Sequence, residues 1–383
     1  MRGDAEGAEG MPELSVSFGG LTFKNPLILA PGPFSDDLKW ISRFVEAGVG
    51  GVVLKSAVPE SLAHMRRWVK PRYRLPFGPD GNFVLYSFEQ AFRGSIDEYL
   101  KLIRDAKGLG VPIIASFFAL DMDDWLELCL GAQEAGADAV ELDISCPHAG
   151  AASAYVEVTS FLAERLKIPV IPKLSPTIDV ASVAVQLERA GAGGVTACNR
   201  LTGVDVDLEG MRIAMHGSYA GFGGPWSKFL IFKNVMEIHR STSLPISASG
   251  GVTSHEDLIK YILLGASTVQ VLSIFILKGV GVVPEMLKGL ERFMEERGIE
   301  SLDEIRGVAA YSFRDPDSVE REVQARFEVE AEGCVGCMRC RVVCRYEAVV
   351  ERGGKAWIDP ELCDGCGLCA EVCPRGCIRM VRF

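Results

Sequence analysis

Little in this chain points to a membrane, an oxidising compartment or a nucleic acid. No charged segment followed by an apolar stretch opens it, so no secretory signal is expected, and MRGDAEGAEG begins a flexible N-terminus over residues 1–14. The longest apolar run, Tyr261 to Leu277, is slightly short for a membrane span. Gly265, Ser267, Thr268, Gln270 and Ser273 break it into a helix end, a strand and a turn. Basic residues are outnumbered 40 to 51, for a net charge of -11, and are mostly scattered, so nucleic-acid binding has no support. The exception is HMRRWVKPRYR, His64 to Arg74, which reads either as a solvated loop or as a rim that attracts an anionic substrate or docks a partner. Cysteine is sparse before residue 330, where only Cys129, Cys146 and Cys198 occur. These absences leave a soluble cytoplasmic protein, and 383 residues, 48% of them hydrophobic, suffice for one large core plus a small extra domain.

What is present centres on ELDISCPH, Glu141 to His148. An apolar strand signal, Ala139, Val140, Leu142 and Ile144, runs into Cys146, and Pro147 stops it. A lone cysteine is most often a small buried apolar residue. At a strand's carboxyl end, with His148 as a neighbour, a thiol of ordinary pKa about 8.5 can instead exchange a proton near neutrality.

Strand and helix signals alternate along the chain. Eight strands are predicted at Leu27–Ala30, Gly51–Lys55, Ile113–Phe118, Ala139–Asp143, Val170–Leu174, Gly194–Ala197, Ile246–Ser249 and Thr268–Leu272, preceded by a hairpin, Ser15 to Asn25, that turns at Gly19 and Gly20 and would plug a floor. Eight β/α units predict an α/β fold, a (β/α)8 TIM barrel; the alternative, an open doubly wound sheet, lacks its GxGxxG after the first strand. In a barrel the strand ends carry the chemistry. Here they are unusually polar: Lys55 and Ser56, Asp143 to Cys146, Lys173, Cys198 and Asn199, Ser249 to Gly251, and Ser273. Buried ammonium groups such as Lys55 and Lys173 need anionic or polar partners. ASGGV, Ala248 to Val252, opens toward a helix where free amides can cradle a phosphate.

Nine of the twelve cysteines crowd into the last fifty residues. In a cytoplasmic chain they point to metal rather than disulfides. Cys334, Cys337, Cys340 and Cys344, then Cys363, Cys366, Cys369 and Cys373 with Pro374, spell CxxCxxCxxxC twice. Each run gives three thiolates to one 4Fe-4S cubane and the fourth to the other, so Cys334, Cys337, Cys340 and Cys373 hold one cluster and Cys363, Cys366, Cys369 and Cys344 the second. Zinc sites use CxxC pairs instead. The module resembles a bacterial two-cluster ferredoxin, with EAVV, GKAWIDP and CIRMV as its short strands. Arg345 replaces the usual proline, a change that adds positive charge beside a cluster, and Cys377 reads as a packing residue.

From about Leu21 to Leu277 the chain resembles the dihydroorotate dehydrogenase and dihydropyrimidine dehydrogenase family of FMN barrels, closest to the second branch. NPLILAPGP, LKSAV, ELDISCPH, PKLSP, VTACN, SASGGV and VQVLS carry the likeness. It implies FMN against Ala30, Pro31 and Gly32, with Lys55, Ser56 and Lys173 near its ring, where positive charge stabilises the reduced form. The phosphate falls to Ser249, Gly250, Gly251, Leu272 and Ser273, and Gly224 belongs to the same set. Cys146 becomes the proton donor or acceptor, and Ser87, Asp143, Ser145, Asn199 and Arg200 the substrate residues. Several of these depart from the family pattern. Asp143 stands for an asparagine and, ionised, only accepts hydrogen bonds, which disfavours orotate's carboxylate. Ser87 stands for a second asparagine, and Arg200 for a small hydroxyl residue. Arginine suits an anionic substrate, unless it forms a purely structural ion pair with Asp143. GGPWSK has Ser227 for the family's last glycine, and the loop after Cys146 is shorter.

The resulting organisation is an FMN barrel over 15–299, a linker helix region over 300–330, where SLDEIRGVAAYSF reads as a final helix, and a cluster domain over 331–383. Three readings follow. The favoured one is an FMN and iron-sulfur oxidoreductase acting on the C5=C6 bond of uracil or thymine. The second keeps the electron chemistry with orotate or another conjugated anion, and the third is a non-catalytic electron-transfer subunit. With no second dinucleotide fingerprint, the electron partner must be a separate protein, an FAD/NAD(P)-binding subunit or a ferredoxin, in a homo- or hetero-oligomer.

Overall fold

A computed structural model describes residues 12–75, 83–88, 91–144, 152–320 and 325–382. The chain divides into two units, Met1–Phe313 and Arg314–Phe383. In the first, eight strands close into an all-parallel barrel in chain order: β1 (Leu27–Leu29), β2 (Gly51–Val53), β3 (Ile113–Phe117), β4 (Ala139–Leu142), β5 (Val170–Leu174), β6 (Val195–Ala197), β7 (Ile246–Ser249) and β8 (Thr268–Val271), with β8 pairing back onto β1. Helices follow the strands, and their starts are fixed locally. Asp37, Ser95, Asp121 and Asp179 each accept a backbone N–H from the first turn of the helix they precede, and Ser95 with Glu98 completes a capping box. Each such cap contributes about 1 kcal/mol.

Side chains alternate across each strand, so the barrel wall sorts them by a period of two. Leu27, Leu29, Val52, Leu54, Val140, Leu142, Val269 and Val271 point outward into the core beneath the helices. Ile28, Val53, Ile114, Ala139 and Ile171 point inward and pack with Phe18 and Phe23. Those phenylalanines come from the antiparallel hairpin Val16–Phe18 and Leu21–Phe23, whose turn residues Gly19 and Gly20 have φ of +60° and +76°. The hairpin seals the barrel floor so closely that a Cβ on Gly51 would lie 2.6 Å from the Phe23 ring. Two residues further along the same inward columns the apolar layer ends and Lys55, Ser116, Glu141 and Lys173 begin, all buried.

Between Tyr261 and Leu277 the helix His255–Leu263, the strand β8 and the helix Ser273–Lys278 succeed one another. Among the described residues no helix is long and apolar enough to cross a membrane. The helix expected over SLDEIRGVAAYSF does not form. Two 3-10 turns, Leu302–Glu304 and Val308–Ser312, stand there, separated by Gly307 at φ +76°, a conformation that ends right-handed helix.

The second unit is built on two antiparallel pairs, Ala325–Val329 with Ile378–Arg382 and Val349–Arg352 with Lys355–Ile358. Ala325–Val329 is strand although its sequence reads as polar linker, because its register partner lies at the far end of the chain. The Val349–Ile358 hairpin turns on Gly353 and Gly354, at φ +60° and +74°.

Candidate functional site

Three layers of polar side chains stand above the barrel floor. Deepest is a closed network: Glu141 of β4 accepts from Lys173 Nζ of β5 at 3.1 Å, from Thr196 Oγ1 of β6 at 2.8 Å and from Gln270 Nε2 of β8 at 2.7 Å. The partner that a buried Lys173 requires is therefore Glu141, a residue the sequence reading passed over. Its signal was available, since Glu141 sits two positions before Asp143 in an otherwise apolar strand and so shares its inward column.

Asp143, at the barrel mouth, has both carboxylate oxygens occupied. Oδ1 accepts from Asn199 Nδ2 at 2.7 Å and Oδ2 from Ser56 Oγ at 3.1 Å. Ser56 Oγ also lies 2.9 Å from Ser116 Oγ, and Tyr99 braces the Ser116 backbone through its hydroxyl. The structure thus brings Ser56, Asp143 and Asn199 together from three strand ends. Lys55 is buried nearby in sequence, its backbone N–H donating to Ser35 O at 3.1 Å. Cys198 is no alternative proton carrier. Burial pushes its thiol up to about 12, and its sulfur accepts from the Asn234 amide at 3.4 Å.

A four-stranded antiparallel sheet in the order Leu201–Gly203, Ala220–Gly223, Leu85–Ser87 and Tyr73–Arg74 inserts among the barrel loops. It holds the second group of expected residues. Arg200 Nη1 donates to the buried Ser87 Oγ, and the guanidinium lies over Gly221, where a Cβ would stand 2.6 Å from Arg200 Cζ. Arg200 is seated by two separate strands, and no ion pair joins it to Asp143 among the described residues. Ser145 and Cys146, with Pro147 and His148, fall outside the described residues.

At the ends of β1 and β7, glycines stand where a side chain would meet the chain's own atoms. Gly250 and Gly251 have φ of +131° and +68°, and a Cβ on Gly251 would reach Lys228 N at 2.7 Å. Tyr261 Oη donates to Gly250 O at 2.6 Å, fixing that turn. Gly32 lies against Leu272, leaving no space for a side chain, and Ala30 N donates to Val271 O, so β1 and β8 end side by side with Ser273 opening the next helix. Gly224 abuts the Phe83 carbonyl, and the Gly224 carbonyl accepts from Ser227 Oγ at 2.7 Å.

In the second unit the cysteines ring two cavities. One is lined by Cys334, Cys337, Cys340 and Cys373, with Cys377 among its further lining residues; the other by Cys344, Cys363, Cys366 and Cys369. Among the described residues no three His, Cys, Asp or Glu side chains gather tightly enough for a single ion. The Ala356 N–H donates to Cys334 Sγ at 3.4 Å and, with the Gly336 amide, holds that thiol below its ordinary range. Sulfur-directed amides of this kind also stabilise cluster thiolates. The two halves repeat with an offset of 29: Gly336 and Gly365, Met338 and Gly367, and Glu347 and Gly376 all have positive φ.

Comparison with known proteins matches residues 13–294 to the dihydroorotate dehydrogenase model and 327–380 to a 4Fe-4S dicluster domain. The NAD-dependent dihydropyrimidine dehydrogenase subunit PreA of Escherichia coli is 30% identical over 96% of this chain and 95% of its own. The catalytic subunit of dihydroorotate dehydrogenase B from Pyrococcus abyssi is also 30% identical, over 77% of this chain and 99% of its own, and that of Thermococcus kodakarensis 31%, over 78% and 98%. The first domain is a flavin-binding type and takes FMN; the second takes two 4Fe-4S clusters. The Gly250–Gly251 turn at the end of β7, with its positive φ values, fits the former, and two thiol-lined cavities fit the latter.

Proposed function

Because this chain belongs to the dihydroorotate dehydrogenase family and carries a 4Fe-4S dicluster domain, we propose that it interconverts the CH–CH and C=C forms of a dihydropyrimidine of the uracil or thymine class. The observation that carries this reading is Asp143, held at the barrel mouth by Asn199 and Ser56 as an acceptor-only group. Such a group accepts the ring N–H of a neutral cyclic amide and repels a substrate carboxylate. The named activity of the Escherichia coli relative, dihydropyrimidine dehydrogenation, supports the same choice.

In this reading residues 15–299 form the flavin domain, 300–330 a connecting region and 331–383 the cluster domain. Ala30, Pro31 and Gly32 back the flavin, Ser249, Gly250, Gly251, Leu272 and Ser273 hold its phosphate, and Lys55 and Lys173 set the charge beside its ring; Gly224 contributes to the same wall. FMN, when bound, exchanges hydride with carbon and converts electron pairs into single electrons. Cys146 carries the proton of the neighbouring carbon, and Ser87, Ser145, Asn199 and Arg200 orient the substrate with Asp143. Cys334, Cys337, Cys340 and Cys373 would hold one 4Fe-4S cluster and Cys344, Cys363, Cys366 and Cys369 the other, and such clusters would supply one-electron transfer. A separate cytoplasmic protein, a flavin or pyridine-nucleotide subunit or a ferredoxin, exchanges them.

One observation favours a second substrate class. Arg200, seated by Ser87 over Gly221, presents the rest of its guanidinium fork as a ready partner for a conjugated anion. Anaerobic titration of the FMN-loaded protein with uracil, dihydrouracil, orotate and dihydroorotate distinguishes the two. Perturbation of the flavin absorbance by the neutral pair alone is expected; a response confined to the acids would transfer the assignment to the second class.

A further inference from the structure

The buried network inside the barrel has a consequence beyond holding a lysine. Lys173 and Glu141 are 6% and 1% exposed, and their charged atoms are 3.1 Å apart. Gln270 bridges them, donating to Glu141 Oε2 at 2.7 Å while its Oε1 lies 3.4 Å from Lys173 Nζ. Gln270 Nε2 also reaches Thr196 Oγ1, at 3.2 Å, so four strands share one hydrogen-bonded unit. Three donors, the Lys173 ammonium among them, converge on the Glu141 carboxylate. The pair as a whole is then neutral. A lone ammonium beside FMN would favour the charge that the ring gains on reduction, and strongly so away from water. An ammonium already matched by a carboxylate favours it far less.

We propose that Glu141 is a positioning residue that fixes Lys173 and, by offsetting its charge, lowers the redox potential of the bound FMN. The proposal rests on Lys173 facing the flavin and deepens that reading.

Charge-neutralising variants of the full FMN-loaded chain test it: Glu141→Gln, Lys173→Gln and the double Glu141→Gln/Lys173→Gln. Each is titrated spectroelectrochemically, the flavin bands being resolved from those of the clusters. Glu141→Gln is expected to raise the ratio of reduced to oxidised flavin at a fixed applied potential at least tenfold, about 30 mV for a two-electron couple. Lys173→Gln should shift it in the opposite direction, and the double variant should return to within threefold of the parent. A purely structural Glu141 would not produce opposed and cancelling shifts. If Lys173→Gln moves the potential and Glu141→Gln does not, the inference is wrong and the lysine's place beside the flavin stands. If neither moves it, that placement is itself wrong. Glu141→Gln leaves an ammonium unpaired and can fail to fold, whereas the double variant buries no charge and removes that penalty. Should only the double fold, a flavin ratio tenfold below the parent would overturn the cancellation, and a ratio within threefold would support it.

Discussion

The barrel mouth and the cluster unit assemble their chemistry in opposite ways. Around the mouth each side chain arrives from a different strand: Asp143 meets Asn199 across 56 positions and Ser56 across 87. In the cluster unit the eight cysteines come from two short runs, and the second run repeats the first 29 positions later. The barrel has an extensive apolar core to hold distant residues in register. The cluster unit has few buried apolar side chains, Ala348, Val349, Ala356, Ile358 and Ile378, packed among the cysteines themselves. A scaffold with a large core can build its site from scattered residues, and a small one needs the ligands to be part of its core.

Iron removal should set the two regions apart most severely. Chelation under reducing conditions is expected to unfold residues 325–382 while the barrel keeps its FMN, read by limited proteolysis and flavin content; a cluster unit that stays protected would show that its core suffices without metal. Next in size, Cys146→Ala should lower turnover about 10²–10⁴-fold with flavin content unchanged, because proton transfer alone is removed. A variant with parental rates would remove the thiol from the reaction. Within the barrel, Gly251→Ala forces a side chain at φ +68° onto Lys228. It should lower stability by about 1–3 kcal/mol and weaken FMN retention, checked by thermal melts with and without added flavin. The smallest effect sharpens the comparison of the two cluster halves. Met338 has φ +55° where the second half has Gly367 at +84°. Met338→Gly should stabilise the cluster unit by about 0.5–1 kcal/mol, the left-handed strain relieved less the added chain entropy; a destabilised melt would mean that the Met338 side chain packs for more than its backbone loses.

The difference between the regions also explains what could be read in advance. Eight strand signals alternating with helix signals, Ala139 to Asp143 among them, predict the barrel because each signal is local. The caps at Asp37, Ser95, Asp121 and Asp179 act over the same short range. The strand Ala325–Val329 reads as linker because its register partners, Ile378 to Arg382, lie 49 to 57 positions further on, and nothing in its own composition signals a ladder. The 3-10 turns after residue 300 were misread as helix although Gly307 lay in plain view, its left-handed φ being visible only in the folded chain.

By itself the sequence determined the period-two wall, the capped helices and the two cysteine runs, since each is fixed by neighbours within a few bonds' reach. Only the closed barrel decided that Glu141 neutralises Lys173, that Asp143 is shared by Asn199 and Ser56, and that Arg200 rests on Ser87 and Gly221 rather than on Asp143. Those pairings depend on which strand ends face each other across the barrel, a matter of strand order and register that no local stretch of chain encodes.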